Sequence, residues 1–158
     1  MNPARPCRLV IDTNVALDLL VYRNPQALPI LDAIERKQAL WLTDPYTRAE
    51  LARVLGYPEL KLSLEAGREV MECHRALTTP SDEWPAHALP GPLPECRDPD
   101  DQPFLDLAAR TRADLLISRD RMLLRLQRKT RLLLPDLAIV PPEPACQRLA
   151  TWLSDRNT

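Results

Sequence analysis

Short aliphatic runs alternate along the chain with longer segments whose apolar residues recur every three or four positions. The runs, at residues 9–11, 40–43, 115–118 and 137–140, are apolar on both faces, which is typical of buried parallel strands. The longer segments have the periodicity of helices that pack by one face. They predict helices at residues 15–21, 30–37, 45–55, 62–77, 102–112, 121–127 and 142–153.

The alternation of strands and helices predicts an α/β domain in which helices cover a mostly parallel sheet in three layers. The length of 158 residues suits a single domain spanning 1–158. One stretch departs from the pattern, because seven prolines between Pro80 and Pro103 indicate an irregular connection with room for one short strand. We expect Thr13 or Asn14 to cap the first helix.

Composition and charge exclude several classes of protein. The 21 basic and 22 acidic residues give a net charge of −1, which excludes a strongly cationic coat for nucleic acid but not a local basic patch. Three unclustered glycines exclude a Rossmann or Walker phosphate loop. The four cysteines contain no Cys-x-x-Cys pair, which argues against a zinc ribbon and predicts reduced thiols. Because no apolar run approaches the length of a membrane helix, we expect a cytoplasmic protein.

Four acidic residues are placed where the predicted strands end or the next helices begin. Asp12 follows the first strand directly, and Asp120 follows the third strand by two residues. The carboxyl ends of parallel strands share one edge of a sheet, and ligands bind in the crevice beyond it. Glu50 lies on the helix after the second strand, and Asp101 opens the helix before the third. We therefore expect these four acids to meet in one cleft.

A cleft lined only by carboxylates suits Mg²⁺ or Mn²⁺ better than zinc. Such a site supports phosphodiester hydrolysis, because the ion polarises the phosphate and lowers the pKa of a bound water. Simpler interpretations exist for single residues: Asp98, Asp100 and Asp101 as helix caps, and Glu50 as a solvated helix residue. Asp12 has no routine structural explanation at a buried strand end, and the shared location strengthens the interpretation of the set.

Four segments of the chain together carry a family resemblance. They are Val10-Ile11-Asp12-Thr13-Asn14-Val15, Glu50-Leu51-Ala52-Arg53-Val54-Leu55, Asp98-Pro99-Asp100-Asp101-Gln102-Pro103-Phe104-Leu105 and Ala113-Asp114-Leu115-Leu116-Ile117-Ser118-Arg119-Asp120. In this order they resemble the PIN-domain ribonucleases, which implies a PIN-like α/β fold and metal-dependent endonucleolytic cleavage of single-stranded RNA. The third segment is similar to a subgroup of prokaryotic PIN proteins described as toxins of toxin–antitoxin pairs, which implies an antitoxin protein as a partner.

The resemblance also implies roles for individual residues. Asp12, Glu50, Asp101 and Asp120 match the family's acidic quartet, which binds the divalent metal ion. Asp101 is preferred to its neighbour Asp100 because an apolar helical pattern follows it. The supporting positions are Asn14, which orients the site, Ser118, whose hydroxyl can hydrogen-bond a carboxylate or a metal-bound water, Thr47, the small polar residue near the second acid, and Asp100.

A cluster of basic residues follows the last acid. Six basic residues and one acid lie between Arg119 and Arg131, a local charge of +5 in 13 residues. This patch, with Arg121, Arg125 and Arg128 on one helical face, could hold phosphates beside the acidic cleft. The alternative is a solvated arginine-rich face. Because aromatic residues make up only 4% of the chain, the RNA substrate rests on the resemblance.

Other interpretations remain open at this stage. A catalytically inactive PIN-like module that binds RNA or protein would also fit, although the presence of all four acids argues against it. A receiver-type phosphoacceptor domain needs a lysine just after a strand, and none of the three lysines is so placed. Exposed apolar helices at residues 15–21 and 28–34 are candidates for a homodimer face.

Overall fold

The structure, a computed structural model, describes residues 5–83, 88–89 and 91–156, so part of the predicted proline-rich connection lies outside the described residues. The strands are β1 Cys7–Ile11, β2 Ala39–Thr43, β3 Thr78–Pro80, β4 Leu115–Ile117 and β5 Ala138–Val140. The helices are α1 Thr13–Leu20, α2 Leu28–Glu35, α3 Pro45–Leu55, α4 Leu64–Leu77, α5 Gln102–Thr111, α6 Arg121–Leu124, α7 Gln127–Leu133 and α8 Pro142–Arg156, with short 3-10 turns at Pro58–Leu60 and Ser81–Glu83.

The five strands of the described chain form one sheet in the order β3-β2-β1-β4-β5, and every neighbouring pair is parallel. The predicted α/β class with a mostly parallel sheet is therefore confirmed. Strand β1 is central and pairs Ile11 with Ile117 of β4. Because all the strands run the same way, the residues after β1 and β4 emerge side by side at the carboxyl edge.

The strands β1, β2, β4 and β5 contribute to two cores, one on each face of the sheet. In β1, Leu9 and Ile11 pack into the core covered by α1, α2, α3 and α8, whereas Val10 packs into the opposite core under α5. In β4, Ile117 and Leu116 divide between the same two cores. This alternation explains why apolar residues occupy successive positions such as Leu9, Val10 and Ile11, and it confirms the three-layer arrangement.

The structure corrects the predicted helix at residues 121–127. Helix α6 ends at Leu124, and a separate helix α7 begins at Gln127. The side-chain oxygen of Gln127 accepts a hydrogen bond from the Ile139 amide, and its nitrogen donates to the Leu137 carbonyl at 3.3 Å. These bonds anchor the start of α7 to β5, and Arg121 on α6, Arg125 at its C-cap and Arg128 on α7 do not lie on the single continuous helix that was expected.

The two helices expected to expose an apolar face are largely buried within the chain. Leu17 and Leu19 of α1 and Ile30 and Ile34 of α2 are each at most 5% exposed and belong to the core of that side of the sheet. The predicted exposed apolar face is therefore absent from these residues. Among the described helices, none is both long and apolar enough to cross a membrane.

Candidate active site

Asp12 stands at the junction between β1 and α1, at the carboxyl edge of the sheet. Its amide donates to the Ile117 carbonyl of β4 at 3.1 Å, which places it beside the end of that strand. Its side chain is 3% exposed and caps α1, because Oδ1 accepts from the Val15 amide at 2.9 Å. The expected cap by Thr13 or Asn14 is wrong, because α1 already begins at Thr13, one residue earlier than a Thr13 cap would need, and Asp12 takes the cap position.

Ser118 links Asp12 to Asp120. The fully buried Ser118 hydroxyl donates to Asp12 Oδ2 and accepts from the Asp120 amide at 3.0 Å. Asp120 caps α6 by accepting from the Met122 amide at 2.7 Å through Oδ1. Both acids that follow strands are thus held by short backbone connections and by one shared hydroxyl.

The environment of Asp12 disfavours its negative charge. Burial raises the pKa of Asp12 from its ordinary value of 3.8 to about 6, against the opposing effect of the hydrogen bonds from Ser118 and Val15. The negative charges of Asp120 and Glu50 raise this pKa further. A bound cation would offset both the cost of burying this carboxylate and its repulsion by the neighbouring carboxylates.

Three carboxylates at this edge approach one another closely. One oxygen each from Asp98, Asp101 and Asp120 lies within 4.8 Å of the other two. Asp101 is the residue before α5, yet its side chain makes no capping hydrogen bond, so the interpretation of Asp101 as a helix cap does not hold. Its Oδ2 is buried and has no hydrogen-bond partner among the described residues. An orphaned buried carboxylate oxygen is costly unless something else binds it.

The donor set fits a hard divalent cation. Burial, the neighbouring carboxylate of Asp120 and the charges of Asp98 and Asp12 raise the pKa of Asp101 well above its ordinary value. Carboxylate oxygens at this spacing, with one oxygen lacking any partner, are the ligands that Mg²⁺ and Mn²⁺ prefer. Asp98, Asp101 and Asp120 would hold such an ion, with Asp12 beside them.

Glu50 of α3 faces the cleft from the other side of β1. Its Oε2 accepts a hydrogen bond from the Thr13 hydroxyl at 2.6 Å, and Arg53 lies 3.7 Å from its Oε1. Its side chain is only 12% exposed, so it is not a simple solvated helix residue. Glu50 is close enough to raise the pKa of Asp12, but it is not in the group of three carboxylates.

Of the four supporting residues predicted from the sequence, Ser118 contacts the acids of the site, whereas Thr47, Asn14 and Asp100 lie outside the group of three carboxylates. Ser118 contacts both strand-end acids, as described above. Thr47 belongs to the capping box at the start of α3, where its hydroxyl accepts from the Asp44 amide at 3.1 Å. Asn14 is exposed on α1. Asp100 is exposed, and its amide donates to Asp98 Oδ1 at 2.9 Å, so it orders the loop from outside the group of three.

A comparison with protein-family models matches residues 8–122 to the PIN domain. This chain belongs to the PIN-domain family. The family consists generally of nucleases that use divalent metal ions, which agrees with the acidic group at the carboxyl edge. No curated protein and no solved structure matched the chain in the corresponding searches.

The basic residues after the last acid of this PIN domain divide into two kinds. Arg119 forms an ion pair with the largely buried Asp18 of α1 at 3.0 Å, which ties the loop after β4 to α1. Arg121, Arg125 and Arg128 are exposed, and no ion pair involving them is found in the part of the chain that the structure describes.

Three contributors to the site were missed from the sequence of this PIN domain. Asp98 was interpreted as a helix cap and Thr13 as a cap rather than a partner of Glu50, and Asp18 was not singled out. The role of Thr13 could have been predicted, because its hydroxyl follows the strand-end Asp12 and can reach a helix that begins at the same edge of the sheet, as α3 does. Asp98 and Asp18 meet their partners only through the tertiary fold, and no local pattern marks them.

Proposed function

We propose that this PIN domain is an endoribonuclease that hydrolyses phosphodiester bonds of single-stranded RNA and depends on Mg²⁺ or Mn²⁺. The observation that carries the proposal is the group formed by Asp98, Asp101 and Asp120, with the partnerless Asp101 Oδ2 inside it. Family membership supports nuclease chemistry in general. The substrate, the ion and the catalytic residues Asp12, Glu50, Asp101 and Asp120 are parts of the proposal.

The chain's own residues have separate roles in this proposal. Asp101 and Asp120 bind the ion, with Asp98 as an additional ligand that the sequence did not predict. When bound, the ion supplies Lewis-acid stabilisation of the phosphate and a lowered pKa for an attacking water. Ser118 fixes the carboxylate of Asp12 and the backbone of Asp120 at the same time, so the acids are held in place before substrate arrives.

Phosphates on either side of the cut need a positive surface. The exposed Arg121, Arg125 and Arg128 follow Asp120 on α6 and α7 and supply charge without ion-pair partners in the described chain. Arg119 is bound to Asp18, so we assign it to positioning the loop. The double variant Arg125→Glu with Arg128→Glu should weaken RNA binding and lower the salt slope by about one unit per lost phosphate contact. An unchanged salt slope would mean that these residues form a solvated face.

The test of the proposed function is cleavage of labelled single-stranded RNA, duplex RNA and single-stranded DNA with Mg²⁺, with Mn²⁺ and with EDTA. We expect cleavage of single-stranded RNA with either ion, none in EDTA, and loss of at least a hundredfold in the single-turnover rate for Asp120→Asn. Cleavage that persists in EDTA would refute the metal mechanism. RNA binding without cleavage under any condition would favour a catalytically inactive RNA-binding module instead.

The role as a toxin is a narrower proposal. It rests on the Asp98-Pro99-Asp100-Asp101 segment, which is similar to that of toxins of toxin–antitoxin pairs. Induced expression of the intact chain should then arrest bacterial growth, and Asp120→Asn should not. Growth that continues unimpaired with active enzyme would refute the toxin role while leaving the nuclease proposal intact.

A further inference from the structure

Asp98 is held differently from the other two carboxylates of its group. Asp101 directly precedes α5 and Asp120 caps α6, so each of them is fixed by the start of a helix. Residues 91–100 form neither helix nor strand, and Asp98 therefore gains no fixed position from regular secondary structure. A metal ligand on such a segment is preorganised only if other contacts hold the segment in place before the ion arrives.

The side chain of Gln102, the first residue of α5, makes two hydrogen bonds to this segment. Its Oε1 accepts from the Cys96 amide at 2.6 Å, and its Nε2 donates to the Pro94 carbonyl at 3.3 Å. Among the described residues, these are the two hydrogen bonds found between residues 91–97 and any helix or strand. Because Cys96 is also buried in the core under α5, the chain is anchored two residues before Asp98.

Asp106 fixes the orientation of the Gln102 side-chain amide. The Nε2 of Gln102 donates to Oδ1 of Asp106, one turn later on α5, at 3.2 Å. An ionised carboxylate only accepts hydrogen bonds, so this contact requires the NH₂ group of Gln102 on that side. The oxygen of Gln102 is then left facing the Cys96 amide, and all three partners are satisfied in one orientation.

On the other side of Asp98 the segment is closed by its own hydrogen bonds. Asp98 Oδ1 accepts from the Asp100 amide at 2.9 Å, and the Asp98 carbonyl accepts from the Asp101 amide at 3.1 Å. Asp98 is therefore held from both directions, by Gln102 before it and by the turn into α5 after it. This is the position in which one of its oxygens lies within 4.8 Å of an oxygen from each of the other two carboxylates.

We propose that Gln102 is a positioning residue for the metal centre, because it holds the segment so that Asp98 is presented to the divalent ion as a third carboxylate ligand. This inference rests on the proposed metal-dependent function and adds a residue that acts on the ion only through Asp98. Residues that orient metal ligands in this way typically change the metal affinity about tenfold to a hundredfold when they are replaced.

The test is calorimetric titration of Mn²⁺ into the full chain. Gln102→Met keeps the length and flexibility of the side chain but removes its hydrogen bonds, so it should raise the Kd for Mn²⁺ about tenfold. In an Asp98→Ala background the same replacement should change the Kd by less than about twofold, because the ligand that Gln102 positions is already gone. This non-additivity distinguishes positioning of Asp98 from a general weakening of the fold.

Gln127 provides the matched control, because it makes the same pair of hydrogen bonds at the start of α7. It accepts from the Ile139 amide and donates to the carbonyl two positions earlier, as Gln102 does in its own segment. Gln127→Met should lower the melting temperature about as much as Gln102→Met but leave the Kd for Mn²⁺ unchanged. If Gln102→Met does not fold, Gln102→Asn carries the same expectation, since its amide is one carbon too short to reach both backbone groups.

Three results would overturn the assignment of Gln102: an unchanged Kd in Gln102→Met, an equal loss in Gln127→Met, or a full additional loss in the Asp98→Ala background. An Asp98→Ala chain that binds Mn²⁺ as tightly as the parent would overturn it as well, because Gln102 would then have no ligand to position. Failure of the proposed function is distinguishable. A parent that binds no Mn²⁺ refutes the metal-dependent function together with the inference, whereas a parent that binds Mn²⁺ but cleaves no RNA refutes the function alone.

Discussion

Replacement of Asp12 by asparagine separates the two roles that the structure gives this residue. The asparagine oxygen can still accept from the Val15 amide, so the cap on α1 is retained, but the buried negative charge is removed. One pKa unit corresponds to about 1.4 kcal/mol, so a rise from 3.8 to about 6 means that ionised Asp12 destabilises the metal-free fold by about 3 kcal/mol. The hydrogen bond from Ser118 must be rearranged, which costs about 1 kcal/mol.

The sign of the pH dependence follows from the raised pKa. The folded state keeps the Asp12 proton between about pH 4 and 6, where the unfolded state has lost it, so this group's penalty grows as the pH rises through that window and is complete above it. We therefore expect Asp12→Asn to be more stable than the parent by about 1–2 kcal/mol near neutral pH in EDTA. In a domain of this size that corresponds to a melting temperature higher by roughly 2–8 °C.

Thermal unfolding followed by circular dichroism, in EDTA near pH 7.5 and near pH 4, checks this prediction. The gain should vanish or reverse at the lower pH, because folded Asp12 is protonated there and the unfolded state, with its ordinary pKa of 3.8, has also regained a large part of its proton. Asp12→Ala is the control, because it removes the charge and the cap together and should forfeit about 1 kcal/mol relative to asparagine. A lower melting temperature for Asp12→Asn at both pH values, by the same amount, would show that the carboxylate is a structural group without electrostatic strain.

Two further predictions concern groups outside the acidic cluster. Burial lowers the pKa of His74 to about 4, so the folded state resists protonation of this side chain and loses stability as the pH falls from about 6.5 to 4. His74→Leu does not suffer this loss, so over that range its free energy of unfolding, measured by denaturant melts, should rise relative to the parent's by up to about 3 kcal/mol. As the pH falls, His74 lowers the free energy of unfolding of the parent and Asp12 raises it, so the two effects should nearly cancel. If His74→Leu has the same dependence of stability on pH as the parent, the lowered pKa of His74 is refuted. Arg119→Gln should lower the free energy of unfolding by about 1 kcal/mol because Asp18 loses its partner, whereas Arg121→Gln should leave it unchanged; equal effects would show that the Asp18 ion pair is unimportant.

The fold could be predicted from the sequence where burial alone determines the pattern. Leu9, Val10 and Ile11 alternate between two apolar cores, so this apolar run predicts β1 even though Arg8 precedes it in the strand. The break between α6 and α7 was not predicted; at that point the side chain of Gln127 bonds to β5, a contact between elements that are separate in the sequence. The apolar periodicity of the sequence continues across the break, so the local pattern does not mark it.

In the site too, residues marked by a local feature of the sequence could be predicted, and residues brought in by tertiary packing could not. Asp12 and Asp120 were found because the end of a parallel strand is itself a geometric landmark. Asp98 was missed because its visible local feature, the turn in which its Oδ1 accepts from the Asp100 amide, is that of an ordinary loop. Its approach to Asp120 depends on how α5 packs beside β4, and the spacing of the two residues in the chain does not encode that contact.

Titration of Mn²⁺ into the full chain by calorimetry is the measurement that tests the central claim most directly. The account predicts that the parent binds Mn²⁺ and that Asp101→Asn weakens the binding at least tenfold, because the buried Oδ2 of Asp101 is a ligand atom. Asp100→Asn is the matched control, since its side chain is exposed beside the same group and should leave the affinity unchanged. Equal Mn²⁺ affinity in the parent and Asp101→Asn, or equal losses in Asp100→Asn and Asp101→Asn, would contradict the assignment of this carboxylate group as the metal centre.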